Sequence, residues 1–196
     1  LDTSAKNEQW DVAWRDRQGQ MRTLTFELGR GLRYRVIIHD ENDKERFLQA
    51  FLRPPKTALL VADGGLLGNI KIDENVLLPL SYRGVDPRSL ESRVLELFER
   101  CGLDEAQTRL LLNSLPHQLS SYQKRVVGFV RSVLLQPKVM VYASIWHGVS
   151  QAEIAQILGF DGILRIDAPT CTSVFVDYDT PINTLLQVQQ TYYLQE

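Results

Sequence analysis

The passage from Ser121 to Ser144 constrains this chain more than any other. Apolar residues recur at helical spacing from Ser121 to Leu135, Pro137 ends the pattern, and Val139–Tyr142 is a short, wholly apolar strand. A strand without polar alternation is covered on both faces, which is the condition of strands in parallel sheets. A second such run, Thr57–Ala62, lies between Pro55 and Asp63-Gly64-Gly65 and predicts a buried central strand. In sheets of this kind the working groups stand at the C-terminal ends of the strands. Here one strand ends in Ala143 and Ser144, and neither binds a metal or orients a water.

The remaining elements fit that frame. Residues 6–30 alternate polar and apolar, with Trp10, Val12 and Trp14 on one arm, Leu24, Phe26 and Leu28 on the other, and a polar turn over Arg15–Gln20. This period of two predicts an antiparallel hairpin. Strands are expected at Arg33–Ile38, Gly162–Ile166 and Ser173–Val176. Helices are expected at Lys44–Leu52 (ended by Pro54-Pro55), Asp73–Leu80, Pro87–Cys101, Glu105–Leu112 and Ser150–Leu158. Asp73 or Asp73-Glu74 is the expected cap of the second helix, and Asp86 with Pro87 at the first helical position opens the third. Alternating strands and helices after an antiparallel piece give an α/β fold with a largely parallel sheet. No internal repeat interrupts it.

Composition excludes several classes of function. The 196 residues carry a formal charge of −2, which gives no overall electrostatic case for nucleic acid. The longest apolar runs, such as Leu59–Ala62, fall far short of a membrane span. The chain opens on Leu1 rather than Met, which reads as a trimmed start, and no secretory leader opens it, so a cytoplasmic location is expected. Two cysteines, Cys101 and Cys171, make neither a disulfide framework nor a zinc site and read as buried small apolar groups. His39, His117 and His147 have no partner at ligand spacing, and His117 after Pro116 reads as a loop residue.

Two stretches carry a family resemblance that spans most of the chain. Asp63–Leu80 is similar to the segment after the glutamine loop of ATP-binding cassette (ABC) ATPases, especially those of lipid-trafficking systems of the Mla/Mce type. Leu119–Gly148 resembles the family's succession of signature motif, arginine-bearing helix, Walker B strand and D-loop, with Arg131 at the helix arginine and Gly148 at the D-loop glycine. The resemblance implies a P-loop NTPase-like fold in one domain. Residues 1–64 and 136–196 would form the α/β core, with the N-terminal antiparallel strand pair, and about 65–135 the helical subdomain.

Against that family the catalytic positions depart one by one. A phosphate loop needs glycines whose neighbouring N–H groups wrap phosphate, a lysine for the terminal phosphates and a hydroxyl for Mg²⁺. The corresponding stretch is Ile38-His39-Asp40-Glu41-Asn42-Asp43-Lys44-Glu45-Arg46, in which Lys44 survives but Ile38 and Asp43 replace the glycines and Glu45 the hydroxyl. Asp40, Glu41, Asp43 and Glu45 crowd carboxylates where a polyanion would sit, and like charges at ~4 Å repel by about 1 kcal/mol even in bulk water. Lys44 itself is expected to be a solvated residue of the first helical turn, and the acids a helix-terminal cap. The resemblance further places Ala62 at the glutamine, Ala143 and Ser144 at the Walker B acids, Ser150 at the D-loop aspartate and Tyr178 at the switch histidine. Asp16 falls at the adenine-stacking aromatic, two residues after Trp14. In the signature motif Ser120 and Gln123 survive, while Tyr122 is expected to fill the space a glycine leaves for phosphate. Lys44, Ser120 and Gln123 are therefore expected as vestiges, with no catalytic residue, no metal site, and weak or absent binding of ATP and Mg²⁺.

Only 18 positions separate Lys44 from Ala62, and the chain ends soon after Tyr178. The nucleotide-side subdomain is thus expected to be shortened, with the family's usual C-terminal strands absent or lying outside this stretch, while the helical subdomain is whole. In the family that subdomain docks on the permease. The reading is an inactive ABC ATPase-like subunit, structural or regulatory in a membrane transporter that handles lipid, peripheral on the inner face of the membrane. Its expected partners are an integral-membrane permease subunit, an intact ABC ATPase subunit, or a second copy of itself, and not nucleic acid. Leu66, Leu67, Ile70, Tyr82 and Arg83 are the expected partner contacts, bordering an apolar groove beside residues 87–101. Two alternatives stand beside it: half of a composite ATPase lending Ser120 and Gln123 to an intact partner, and a stand-alone α/β binding module.

Overall fold

The computed structural model describes residues 8–16, 18–52 and 56–194. Its elements divide into two compact units, one running to Leu59 and including Pro137–Ser144 and the chain from Pro169, the other comprising Leu60–Gln136 and Ile145–Ala168.

In the first unit, β1 (Glu8–Arg15) and β2 (Met21–Leu28) form the expected antiparallel hairpin, with Trp10 opposite Phe26 and Val12 opposite Leu24. Its inner face packs on α1 (Glu41–Phe51) through aromatic rings: Trp14 meets Phe47 edge-on with centroids 5.5 Å apart, and Phe26 meets Phe51 at 5.4 Å. Such pairs add to the apolar area they bury, and Phe26, Phe47 and Phe51 are fully buried. The turn includes Arg17, and Pro54-Pro55 follow the helix; these lie outside the described residues.

Five strands make the sheet, in the order β4 (Thr57–Val61), β5 (Val139–Ala143), β6 (Thr172–Tyr178), β3 (Arg33–Ile38), β7 (Gln190–Tyr193). β3 is parallel to both β6 and β7, and β5 is parallel to β6. β5 is buried at all five positions, and Tyr142 stacks on Phe175 of β6 at 4.6 Å. The run at Thr57–Ala62 is not central: β4 lies at the sheet's edge, alternates between buried and half-buried residues, and stops at Val61. An edge strand with one covered face can read as apolar throughout when the half-exposed positions also carry aliphatic side chains. β7 was not expected at all; it adds a parallel strand after Tyr178, so the sheet is not cut short at β6.

The second unit is helical. It contains α2 (Ile72–Ser81), α3 (Glu91–Arg100), α4 (Glu105–Leu112), α5 (Ser121–Leu134), α6 (Gln151–Leu158) and α7 (Phe160–Asp167). Residues 160–167 were expected to hold a strand at Gly162–Ile166. They form a helix because Phe160 and Leu164, four apart, are both buried, and Arg165 reaches back four residues to Asp161 at 2.8 Å. The stretch expected as one helix from Pro87 to Cys101 opens instead as a 3₁₀ turn, Pro87–Leu90, with Asp86 accepting from Arg88 N. α2 is capped by Lys71 without a side-chain bond, not by Asp73. No helix among the described residues is long and apolar enough to cross a membrane. Cys101 and Cys171 are free and buried, and burial pushes the Cys101 thiol up to about 12.

The tightest contact in the helical unit joins two backbones. Gly64, at φ +73°, lies so close to α5 that a Cβ on Gly128 would stand 2.7 Å from Gly64 O and 2.9 Å from its Cα. Arg131 fastens the same turn, donating to Gly64 O at 2.7 Å and Gly65 O at 2.9 Å. Gly128→Ala should therefore destabilise the protein although alanine favours helix. Overpacking costs about 1–3 kcal/mol against a propensity gain of about 1 kcal/mol, a net loss of up to about 2 kcal/mol. A urea midpoint equal to or above the parent's would contradict this packing.

Candidate functional site

The stretch corresponding to the phosphate loop leaves β3 at Ile38 and enters α1 at Glu41, three residues earlier than expected. Asp40 is the reason. Its Oδ1 accepts from Asn42 N at 2.9 Å and Asp43 N at 3.2 Å, and its carbonyl accepts from Lys44 N at 3.0 Å. A helix N-terminus favours an anion by its free N–H groups and its dipole. Here a carboxylate of the chain is that anion, and the donors a phosphate would use already face it.

Lys44 is not the solvated residue expected. Only 9% of it is exposed, and its ammonium donates to Ser144 Oγ at 3.1 Å and pairs with Glu41 at 2.5 Å. The Tyr178 ring lies 5.6 Å from the same nitrogen, and the Tyr178 hydroxyl donates to Glu41. Burial of a lysine is tolerated when its donors are answered, and three neighbours answer these. Lys44, Ser144 and Tyr178, the residues expected at the lysine, catalytic-acid and switch positions, are thus joined to each other. Ser144 takes φ +49°, and its N–H donates to Val176 O of β6, which fixes the hydroxyl beneath the ammonium. β5 presents Ala143 and Ser144 at its end and no carboxylate.

Asp16, at the expected adenine-stacking position, is instead the buried knot of the hairpin turn, accepting from Gln18 N, Gln20 N and Arg22 Nε at 2.8–3.0 Å. Trp14 is core, against Phe47.

In the helical unit Ser120 and Gln123 form a capping box on α5: Ser120 Oγ accepts from Gln123 N at 3.1 Å, and Gln123 Oε1 from Ser120 N at 2.9 Å. Tyr122 does not stand over the helix end as expected. Its hydroxyl donates to Cys101 O at 2.9 Å beside Phe160, so the ring is drawn into the packing behind α3. Ser150 likewise caps α6 with Glu153. The missed residue is Arg125, fully buried, which donates to Ser121 O and Ile145 O at 2.7 Å and to His147 O, and so holds the segment after Ile145 on α5.

The five nominated partner contacts divide. Leu67 is 51% and Tyr82 85% exposed, Arg83 is exposed and donates to Leu135 O, and Leu66 and Ile70 are half-buried. An apolar groove does lie between α2 and α3, but Val76, Leu77, Val94 and Leu95 line it and none of the five does. Leu66–Lys71 is a loop before α2, and its leucines are not part of the groove's lining. Asn75 shapes that loop: fully buried, it accepts from Leu67 N at 2.7 Å and donates to Leu67 O, Ile70 O and Lys71 O. The exposed Leu67 side chain therefore rides on a pinned backbone.

The bond to Glu41, followed by burial and the neighbouring acids, pushes the Tyr178 hydroxyl from 10.0 up to about 12. A raised pKa means that the Tyr178 contribution is whole below pH 10.0 and lost as pH climbs through about 12. Glu41→Gln should bring one tyrosine titration down toward its ordinary value in ultraviolet difference spectra. An unchanged titration would show that Glu41 is not what holds the ring.

Comparison with known proteins gives the fold its name. No protein-family model matches the chain. It is 32% identical over 133 residues to a methionine import ATP-binding protein, MetN 1, of Rhodococcus jostii, covering 67% of this chain and 38% of that protein. The chain thus spans well under half the length of this curated relative. Among solved structures it is similar to the dimeric ATP-binding cassette MJ0796 bound to ADP and Pi (TM-score 0.72, 15% identity, 95% of this chain and 93% of that one). It is also similar to CbiO1 from Clostridium perfringens, part of the ABC transporter complex CbiONQ (TM-score 0.67, 16% identity, 89% and 78%). The parallel sheet, the antiparallel strand pair and the helical unit are those of an ABC ATPase domain, a P-loop NTPase fold.

Proposed function

We propose that this chain is an ABC ATPase-like subunit that does not hydrolyse ATP and serves a membrane transporter as a structural or regulatory part. One observation carries the reading: Lys44, which in this fold would reach a terminal phosphate, is engaged by Glu41 and Ser144, and the helix N–H groups beside it by Asp40. Phosphoryl transfer depends on metal, lysine and backbone donors aimed at the developing charge, and each missing part costs orders of magnitude in rate. Ala143 and Ser144 at the end of β5, Ala62 and Ser150 supply no group for that chemistry, so Mg-ATP would be held weakly or not at all.

The partner side rests on the helical unit. A loop pinned by Asn75 with an exposed Leu67 is a preorganised contact for an apolar helix of a permease subunit, with Leu66 and Ile70 in the same loop and Tyr82 and Arg83 after the other end of α2. The named relative is an import ATP-binding protein; the likeness of Asp63–Leu80 to lipid-trafficking ATPases favours a lipid cargo instead. Either role places the subunit on the cytoplasmic face of a membrane, with a permease and an intact ATPase or a second copy as partners. The composite-ATPase reading gains from Tyr122, which leaves the α5 end open, and loses from Ser120 and Gln123, which are committed to the cap. A stand-alone binding module has no observation of its own in its favour.

Co-expression with a candidate permease subunit tests the proposal. The parent chain should co-purify, Leu67→Asp should not while keeping its circular dichroism spectrum, and the chain alone should release no phosphate from Mg-ATP above background. Steady turnover by the chain alone would overturn the reading, and equal binding by a folded Leu67→Asp would remove this surface from it.

A further inference from the structure

None of the residues of the two sites described above lines the groove between α2 and α3. It encloses about 290 Å³ and is closed at its far side by α4 and at one end by the 3₁₀ turn at Pro87. Its floor is aliphatic: Val76, Leu77, Val94, Leu95 and Leu112. Val76 and Val94 are buried, whereas Leu77, Leu95 and Leu112 stay half-exposed, so the cavity is apolar surface left facing water. That volume is just under the range of about 300–1,000 Å³ typical of small-molecule sites, so it takes one short tail and not a bilayer surface.

The charges at the mouth decide the head group. Arg109 is engaged by Glu105 at 2.7 Å and stands 4.0 Å from Glu91, which sets these two acids against one cation. Asp73 accepts its own helix's Glu74 N at 2.8 Å in the first turn of α2, where the helix dipole favours its charge. Arg88 remains. Its backbone N–H meets Asp86, but its guanidinium makes no ion pair or hydrogen bond among the described residues. A free guanidinium at the lip of an aliphatic cavity suits a carboxylate or phosphate, which it can take in bidentate fashion. The geometry points to a binding site for a small single-tailed acid, with its tail among α2, α3 and α4 and its head on Arg88.

The test is a titration of the whole chain with decanoate, below the concentration at which it forms micelles, followed by methyl resonances. Leu77, Leu95 and Leu112 should shift saturably, and Arg88→Glu, an exposed change, should weaken binding at least tenfold. Decanol, with the same tail and no charge, should bind at least tenfold more weakly than decanoate. Arg88→Ala serves if the glutamate variant loses its fold. Absence of a saturable shift, shifts spread evenly over the chain, or equal affinity of either Arg88 variant would overturn the assignment. So would Arg88-dependent binding to phosphatidylglycerol vesicles without any response to decanoate, since the occupant would then be a membrane surface.

Discussion

A helix N-terminus must have its N–H groups answered, and in this protein the answer at α1 is Asp40. That one choice governs the first unit. With a carboxylate beside the first turn, α1 starts at Glu41, and Glu41 then stands one turn before Lys44 and draws its ammonium inward. The ammonium meets Ser144 at the end of β5, and the Tyr178 ring closes over it from the end of β6. Glu41, one of the acids crowded into the stretch, is here paired with Lys44. The cluster is internally compensated, which is the condition under which buried charge is tolerated.

The helical unit is organised by backbone proximity rather than charge. Gly64 and Gly128 allow the turn after β4 to lie on α5, Arg131 fixes its carbonyls, and Arg125 fixes those beyond Ile145. Asn75 does the same for the loop at Leu67. Three polar side chains thus hold three irregular segments, each by donating to loop carbonyls. A loop held in this way keeps its shape when its apolar side chain is exposed, as a docking contact requires.

Much of this was legible in the sequence, for identifiable reasons. The cap at Asp86, the strand at Arg33–Ile38 and the helix at Glu105–Leu112 depend on local spacing, and the structure has them as expected. The errors arose where local pattern is ambiguous or where tertiary contacts decide. Gly162–Ile166 is too short to separate a strand from a helix by period, and the Asp161–Arg165 pair was the overlooked signal. The edge position of β4 and the existence of β7 depend on strand order, which no single segment encodes. Lys44 and Tyr122 were misplaced because each is decided by a partner far along the chain, Ser144 for the lysine and Cys101 for the ring.

The claim on which the account turns is that the phosphate-loop region is closed by its own side chains. Isothermal calorimetry of the purified chain with Mg-ATP measures this directly. The account predicts no saturable heat. A micromolar Kd, about −8 kcal/mol of binding free energy, would mean that Asp40, Glu41 and Lys44 yield to a triphosphate, and would contradict it.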